Sequence, residues 1–247
     1  MGLLAAFQFL TILPVKRSFT AAQIGRAAPY FPVVGLGIGL VLSGANYVFN
    51  LILPSAAVNV LLLALLVVLS GALHLDGLAD TLDGMAGHRT AAERLEIMRD
   101  SRIGGFGAVG VALFLLSEYV LLNSLPLSTM WGVLILAPVI SRWAMVNAIF
   151  TYPYARPSGL GRAFKEGTNW QQFTIATIVT LALSVVLCKL AGLVIMAGAC
   201  LIVNLMALWL KRRLTGLTGD TYGAINEVAL VSVLLSVNIL AFKGWLI

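Results

Sequence analysis

With 247 residues, of which 60% are hydrophobic and 11% charged, and a mean hydropathy of +0.98, the chain is far poorer in charge than a soluble domain, where about a quarter of residues are charged. This composition leaves a polytopic membrane protein, read as one integral-membrane domain over 1–247 with the lipid bilayer as its surroundings. A net charge of +6 does not imply a nucleic-acid partner, because the basic residues sit in short loops between apolar runs, as the positive-inside bias predicts.

Taken in order, Met1 to Leu13 is too short to cross about 30 Å of hydrocarbon and reads as an interfacial segment ended by Pro14, Lys16 and Arg17. No basic cluster precedes it, so a cleaved signal peptide is not expected. The run Pro29 to Leu53 carries Gly35 and Gly39, a small-xxx-small face for close helix contact. A short break at Pro54 and Ser55 makes it a hairpin with Val58 to Leu73.

The stretch HLDGLADTLDG, residues 74–84, follows at once. Asp76, Asp80 and Asp83 are spaced by four and three, which places them within about 60° of one another on a helix. Three like charges on one stripe ask for a cation, and hard oxygen donors suit Mg²⁺. His74 falls at about 160° from Asp76, away from the acidic stripe, so two readings stand equally, a polar anchor at the membrane boundary or a site residue, and it is not assigned as the base. Thr90 and Glu93 form a capping-box pattern opening a short amphipathic helix, with Leu95 and Met98 turned toward membrane or core. Arg99, Asp100 and Arg102 then precede Gly104, Gly105 and Gly107 at the start of the run Phe106 to Leu125. Two readings are open here: an anion site at a helix N-terminus, or a basic membrane boundary.

A second hairpin returns through Trp131 to Phe150. Arg142 lies about 12 Å inside that helix and reads as part of a buried polar site. Glu118, near the far end of its own helix, reads as an interfacial residue. Arg156, Arg162 and Lys165 in the glycine-containing loop 151–167 fit a polyphosphate contact and the positive-inside rule equally. The stretch Phe173 to Leu210 is about twice a spanning length and breaks at Lys189, Ala191 and Gly192, giving a third hairpin. Cys188 and Cys200 within it lack metal-ligand spacing and read as packing residues. The last polar motif, residues 217–227, carries Asp220 and Glu227 seven apart, a weaker second acidic stripe before the final run Val228 to Ile247.

Thirteen of the 16 lysines and arginines fall in the loops 14–28, 75–103, 151–171 and 211–223, so these loops share one side, the cytoplasm. The predicted fold is an all-α membrane bundle of about seven transmembrane helices, as three hairpins and a terminal helix. The segments 74–107, 151–171 and 211–227 meet at a cytoplasmic mouth. Residue types alone indicate metal-assisted chemistry on a phosphorylated substrate. A cation-coupled transporter would instead place its carboxylates near the bilayer midplane.

HLDGLADTLDG at 74–84, EIMRDSRIG at 96–104, YARPSGLGRAF at 154–164 and TGDTYGA at 218–224 resemble the signature blocks of the cobalamin synthase family. FPVVGLGIG at 31–39 and FLTILPV at 9–15 resemble it as well, with Ile12 standing where that family commonly has arginine. The resemblance implies a bacterial inner-membrane enzyme that joins adenosylcobinamide-GDP to α-ribazole, or to its 5′-phosphate, releases GMP and requires Mg²⁺. Under that reading Asp76, Asp80, Asp83 and Asp220 bind the metal, and Asp80 or Asp83 accepts a proton. Arg99, Asp100, Arg102, Arg142, Arg156 and Glu227 contact substrate. A CDP-alcohol phosphotransferase is the neighbouring enzyme class, but its DGxxAR pattern spreads the carboxylates over a longer stretch than DGLAD.

Overall fold

The computed structural model describes residues 1–245, and the last two residues of the predicted terminal run, Leu246 and Ile247, lie outside them. The described residues form eleven α-helices, with one isolated bridge between Tyr154 and Leu217 and no strand. α1 (Gly2–Leu10) buries Ala5, Ala6 and Leu10 and leaves Leu3 and Leu4 exposed, as an interfacial helix does. α2 (Ala21–Gly25) opens with a capping box made by Thr20 and Gln23, and a 3₁₀ turn leads into α3 (Phe31–Asn50).

α8 (Leu127–Thr151) has no solvent-facing polar side, even its Ser141, Arg142 and Asn147 being buried, and it occupies the centre of the bundle, where it is almost wholly buried. α3 lies against it through the predicted small face. A Cβ on Gly35 would collide with the Pro138 carbonyl oxygen, and one on Gly39 would sit 2.5 Å from the Ile135 Cα. The glycines thus let two backbones touch within one chain.

α4 (Ser55–Leu69) ends at Gly71 and Ala72, both with φ near +60°, and the chain turns through 87° into α5 (Leu73–Met85). The polar helix carrying the aspartates is therefore bent away from the span that precedes it. α6 (Ala91–Ile97) begins on the expected Thr90 and Glu93 capping box and buries Met98 just beyond its end. α7 (Gly105–Asn123) follows, and α9 (Leu160–Gly167) lies in the loop after α8.

α10 (Trp170–Leu214) breaks at Cys188 and Lys189, whose φ/ψ are not helical. Phe173 stacks on Phe150 with ring centroids 4.6 Å apart, while Asn204 accepts from the Tyr152 hydroxyl at 2.9 Å. In one straight helix those two positions would lie about 46 Å apart. Gly192 touches the Ser184 backbone, so the two arms fold back on each other as the predicted hairpin. α11 (Gly219–Phe242) closes the bundle behind a Thr218 capping box. Among the described residues five helices are long and apolar enough to cross a membrane, or six with the bent α4–α5 pair taken as one span, against the predicted seven; α10, broken at Lys189, is one of the five. The protein is a polytopic helical membrane protein.

Candidate active site

The site is assembled where α5 and α11 touch. A Cβ on Gly77 would sit 2.6 Å from the Asp220 carbonyl oxygen, and one on Gly223 would meet the His74 backbone at 3.2 Å. The glycines of HLDG and TGDTYG thus bring two acidic helix starts into contact. A third segment is pinned beside them. Ala155 N–H donates to the Leu217 carbonyl at 2.7 Å, and Leu217 N–H donates to that of Pro153 at 2.8 Å. This pairing carries Arg156 onto Asp220 with an N···O distance of 2.7 Å. Arg156 also donates to the Met98 carbonyl at 3.2 Å, tying in the segment after α6.

These segments border a cavity of about 280 Å³ whose polar lining comprises His74, Asp76, Tyr154, Arg156, Ser158, Asp220 and Tyr222. Burial raises the Tyr154 phenol above its ordinary pKa, which keeps it a hydrogen-bond donor. Asp80, one turn along from Asp76, is half-buried within reach of the charges of Asp76, Asp220, Arg156 and Asp83.

The acidic stripe does not act as one unit. Asp83 turns to the start of α7, where its carboxylate accepts from Gly104 N–H at 2.7 Å and Gly107 N–H at 2.8 Å. A Cβ on either glycine would collide with that carboxylate. The anion site anticipated at this helix N-terminus is therefore filled by the protein's own Asp83. Asp83, Arg89, Asp100 and Arg102 border a separate outer cavity of about 600 Å³. Arg102 grips Asp100 at 2.6 Å, and this pairing lowers the Asp100 carboxyl pKa to about 2. Arg99 is exposed beyond the end of α6.

Of the basic residues in 151–167, only Arg156 lines the inner cavity. Lys165 donates to the Ile149 and Phe150 carbonyls at 2.9 and 2.8 Å, capping the end of α8, and partial burial lowers its pKa. Arg162 pairs with Glu166 at 2.7 Å on the surface.

Arg142 and Glu227, expected among the substrate contacts, belong to a buried group and do not line the cavity. With Glu118 and Ser70, just past the end of α4, they surround a void of only about 10 Å³. Arg142 donates to the Ser141 hydroxyl at 3.0 Å, and Asn226 donates to Glu227 at 3.0 Å. The Nδ1 of His74 lies 4.0 Å from Glu227, so His74 stands between this group and the cavity. His74 is 1% exposed, not an anchor at the membrane boundary, because its helix is turned into the bundle. Glu118 is also 1% exposed and is no interfacial residue. Its placement was recoverable from the rule that an acidic residue inside an apolar run faces a polar partner in the bundle. Tyr154 and Tyr222, missed in the sequence, lie inside two of its polar blocks.

Among the described residues no three His, Cys, Asp or Glu side chains converge closely enough to hold a metal by themselves. Asp76 and Asp220 nevertheless present hard carboxylate oxygens to one cavity from two helices. That donor set fits Mg²⁺, which is commonly held by one or two carboxylates with substrate phosphates and water completing its shell.

A family model described as cobalamin-5-phosphate synthase matches residues 2–238. An adenosylcobinamide-GDP ribazoletransferase of Geotalea daltonii is 37% identical over 225 residues, covering 90% of this chain and 91% of that protein. Ribazoletransferases of the same description from Roseiflexus sp. and Pseudomonas paraeruginosa are 38% and 40% identical, covering 96% and 95% of this chain and 88% and 96% of theirs. No solved structure matches the chain. With the match running almost from end to end and three of the four polar blocks lining one cavity, the chain belongs to the cobalamin synthase family of transferases.

Proposed function

We propose that this enzyme joins adenosylcobinamide-GDP to α-ribazole, or to its 5′-phosphate, at the inner cavity, and that it does so on the cytoplasmic face of a bacterial inner membrane. The observation that carries the reading is the convergence of Asp76, Arg156 and Asp220 from three separate polar segments on one cavity. The bias of basic residues toward the loops that form it supports the orientation.

In the reaction, a ribose hydroxyl forms a new bond to the phosphorus carried by the aminopropanol arm of the corrinoid. The bond from that phosphorus to the bridging oxygen breaks, and GMP leaves with the electron pair. Asp76 and Asp220, with Asp80 beside them, would hold Mg²⁺ against the diphosphate. When bound, the ion supplies charge neutralisation at the phosphate oxygens. Arg156, already between Asp220 and the Met98 carbonyl, swings its guanidinium onto the diphosphate as it enters and offsets the charge developing on GMP. Arg99, exposed near Tyr154, meets the nucleotide at the mouth. Asp80 is the carboxylate left to accept the hydroxyl proton, since both oxygens of Asp83 are engaged by backbone N–H groups. Asp83 acts as a positioning residue that fixes α5 against α7. The Arg102–Asp100 pair shapes the outer loop.

The test is incubation of the purified protein, in detergent or nanodiscs, with both substrates and Mg²⁺. GMP and the joined corrinoid should appear in equal amounts and stop on chelation. Folded protein that releases no GMP would refute the assignment.

A further inference from the structure

The outer cavity of about 600 Å³ is bordered by Asp83, Arg89, Asp100 and Arg102, with Ile103 and Phe106 on its apolar side. Those two apolar side chains are 63% and 68% exposed, so they present open faces. Two connections set the outer cavity against the inner one. α5 carries Asp76 at the inner cavity and Asp83 at the outer, a rise of about 10 Å along the helix with Asp80 between them. Arg156 of the inner cavity also donates to the Met98 carbonyl, on the segment that leads into Asp100 and Arg102.

Arg102 is the side chain with capacity to spare. Its Nε and Nη2 donate to the Asp100 carboxylate at 3.0 and 2.6 Å, a side-on pairing that fixes the plane of the guanidinium. The end-on fork, formed by Nη1 and the second N–H of Nη2, lies outside that pairing. Among the described residues no hydrogen bond engages Nη1, and the Arg102 side chain is 87% exposed.

We infer that the outer cavity holds the leaving nucleoside of the donor substrate, and that the end-on fork of Arg102, aimed by Asp100, reads the O6 and N7 acceptors of its guanine. The inference rests on the transferase reading above and extends it to the donor's base. Phosphoryl transfer sets the attacking and leaving oxygens roughly in line, on opposite sides of the phosphorus. Two cavities on either side of Asp80 supply those two sides, the inner one for the acceptor and the outer one for the nucleotide that departs. A guanidinium fork matches O6 and N7 of guanine in two parallel hydrogen bonds. Adenine presents an amine donor in place of O6, against a group that has no acceptor. The neighbouring carboxylates offer that amine no relief, because the oxygens of Asp83 accept from Gly104 and Gly107 and those of Asp100 from Arg102. The flat purine face lies on Phe106 and Ile103. Arg102 thus touches substrate, while Asp100 acts through it as a positioning residue.

Donor analogues and full-length protein test this. Inosine keeps O6 and N7 and lacks only the 2-amino group, so its donor should be used within about three-fold of the guanosine donor in kcat/KM, and the adenosine donor about ten-fold worse or more. Arg102→Gln and Arg102→Lys change an exposed side chain and leave the core alone. Both should raise KM for the guanosine donor about ten-fold, bring the guanosine-to-adenosine ratio close to one, and leave KM for α-ribazole within about two-fold. Asp100→Asn should lower the same ratio with Arg102 present, whereas damage to the loop alone would weaken both donors and keep the ratio. Equal use of the two donors by wild type, or a ratio unmoved in the Arg102 variants, would overturn the inference; an unmoved ratio with both KM values raised would give the fork to phosphate. Binding of labelled GMP and AMP reads the same site without turnover, and GMP should bind wild type about ten-fold tighter than AMP but Arg102→Gln equally. Wild type that prefers GMP yet transfers nothing removes the transferase reading and keeps the guanine site. Wild type that transfers with no base preference does the reverse.

Discussion

The molecule contains two assemblies of carboxylates with one arginine, and they do different work. At the α5–α11 contact, Asp76, Asp220 and Arg156 line a cavity large enough for a ligand. Deeper in the bundle, Glu118, Glu227 and Arg142 surround a void that barely accommodates one water. The same charge types thus serve as an exchangeable site in one place and as a fixed internal neutralisation in the other. What separates them is room: Arg156 borders a cavity of about 280 Å³, where the proposed reaction would let it trade Asp220 for a phosphate, whereas Arg142 borders a void of only about 10 Å³. Burial alone is therefore a poor guide to chemistry in a membrane bundle, and an intramembrane arginine with packed partners positions the elements around it.

The comparison breaks most visibly at the buried group. Arg142→Met removes the one cation within charge range of Glu227 and Glu118 and should cause the largest fall in thermal midpoint in detergent. An unaffected midpoint would mean that the group is not mutually neutralised. At the cavity, Asp220→Asn should leave the midpoint nearly unchanged and lower kcat about 10²–10³-fold, the scale seen when one transition-state contact is removed. Asp83→Ala strips two N–H groups at the start of α7 of their acceptor and should cost about 1–2 kcal/mol, as loss of an N-terminal cap does. Its kcat per folded molecule should fall less than that of Asp220→Asn; equal losses would give Asp83 a direct chemical part.

The smallest effect lies on the outer loop. Arg102 holds Asp100 at about 2, below the ordinary Asp value of about 3.9. With the folded pKa depressed, the pair's contribution is complete above the unfolded value and vanishes as pH falls through about 2. Carboxyl NMR should show Asp100 still ionised at pH 3, and a midpoint near 4 would dissolve the pair.

Much of this was legible in the chain. Apolar runs of spanning length and the break near Lys189 determine the bundle, and Gly35 and Gly39 mark a close helix contact whose partner, α8, only the fold supplies. The spacing of Asp76 and Asp80 likewise identified the acidic helix. Spacing could not say that α5 leaves α4 at 87°, because that turn depends on the left-handed residues Gly71 and Ala72. The bend is what carries His74 into the bundle. Nor could it divide the aspartate stripe, since the partners of Asp83 lie beyond a loop, at Gly104 and Gly107. Arg94 was unmarked for a similar reason. It is buried and donates to the Gly84, Gly87 and Arg89 carbonyls, a set of acceptors that only the folded loop supplies.

The central claim is that chemistry belongs to the cavity and not to the buried group. GMP release by Asp76→Asn and Glu227→Gln, each normalised to folded protein, tests it most directly. Asp76→Asn should lose at least a hundred-fold in kcat while Glu227→Gln stays within ten-fold of wild type, and the reverse order would contradict the account.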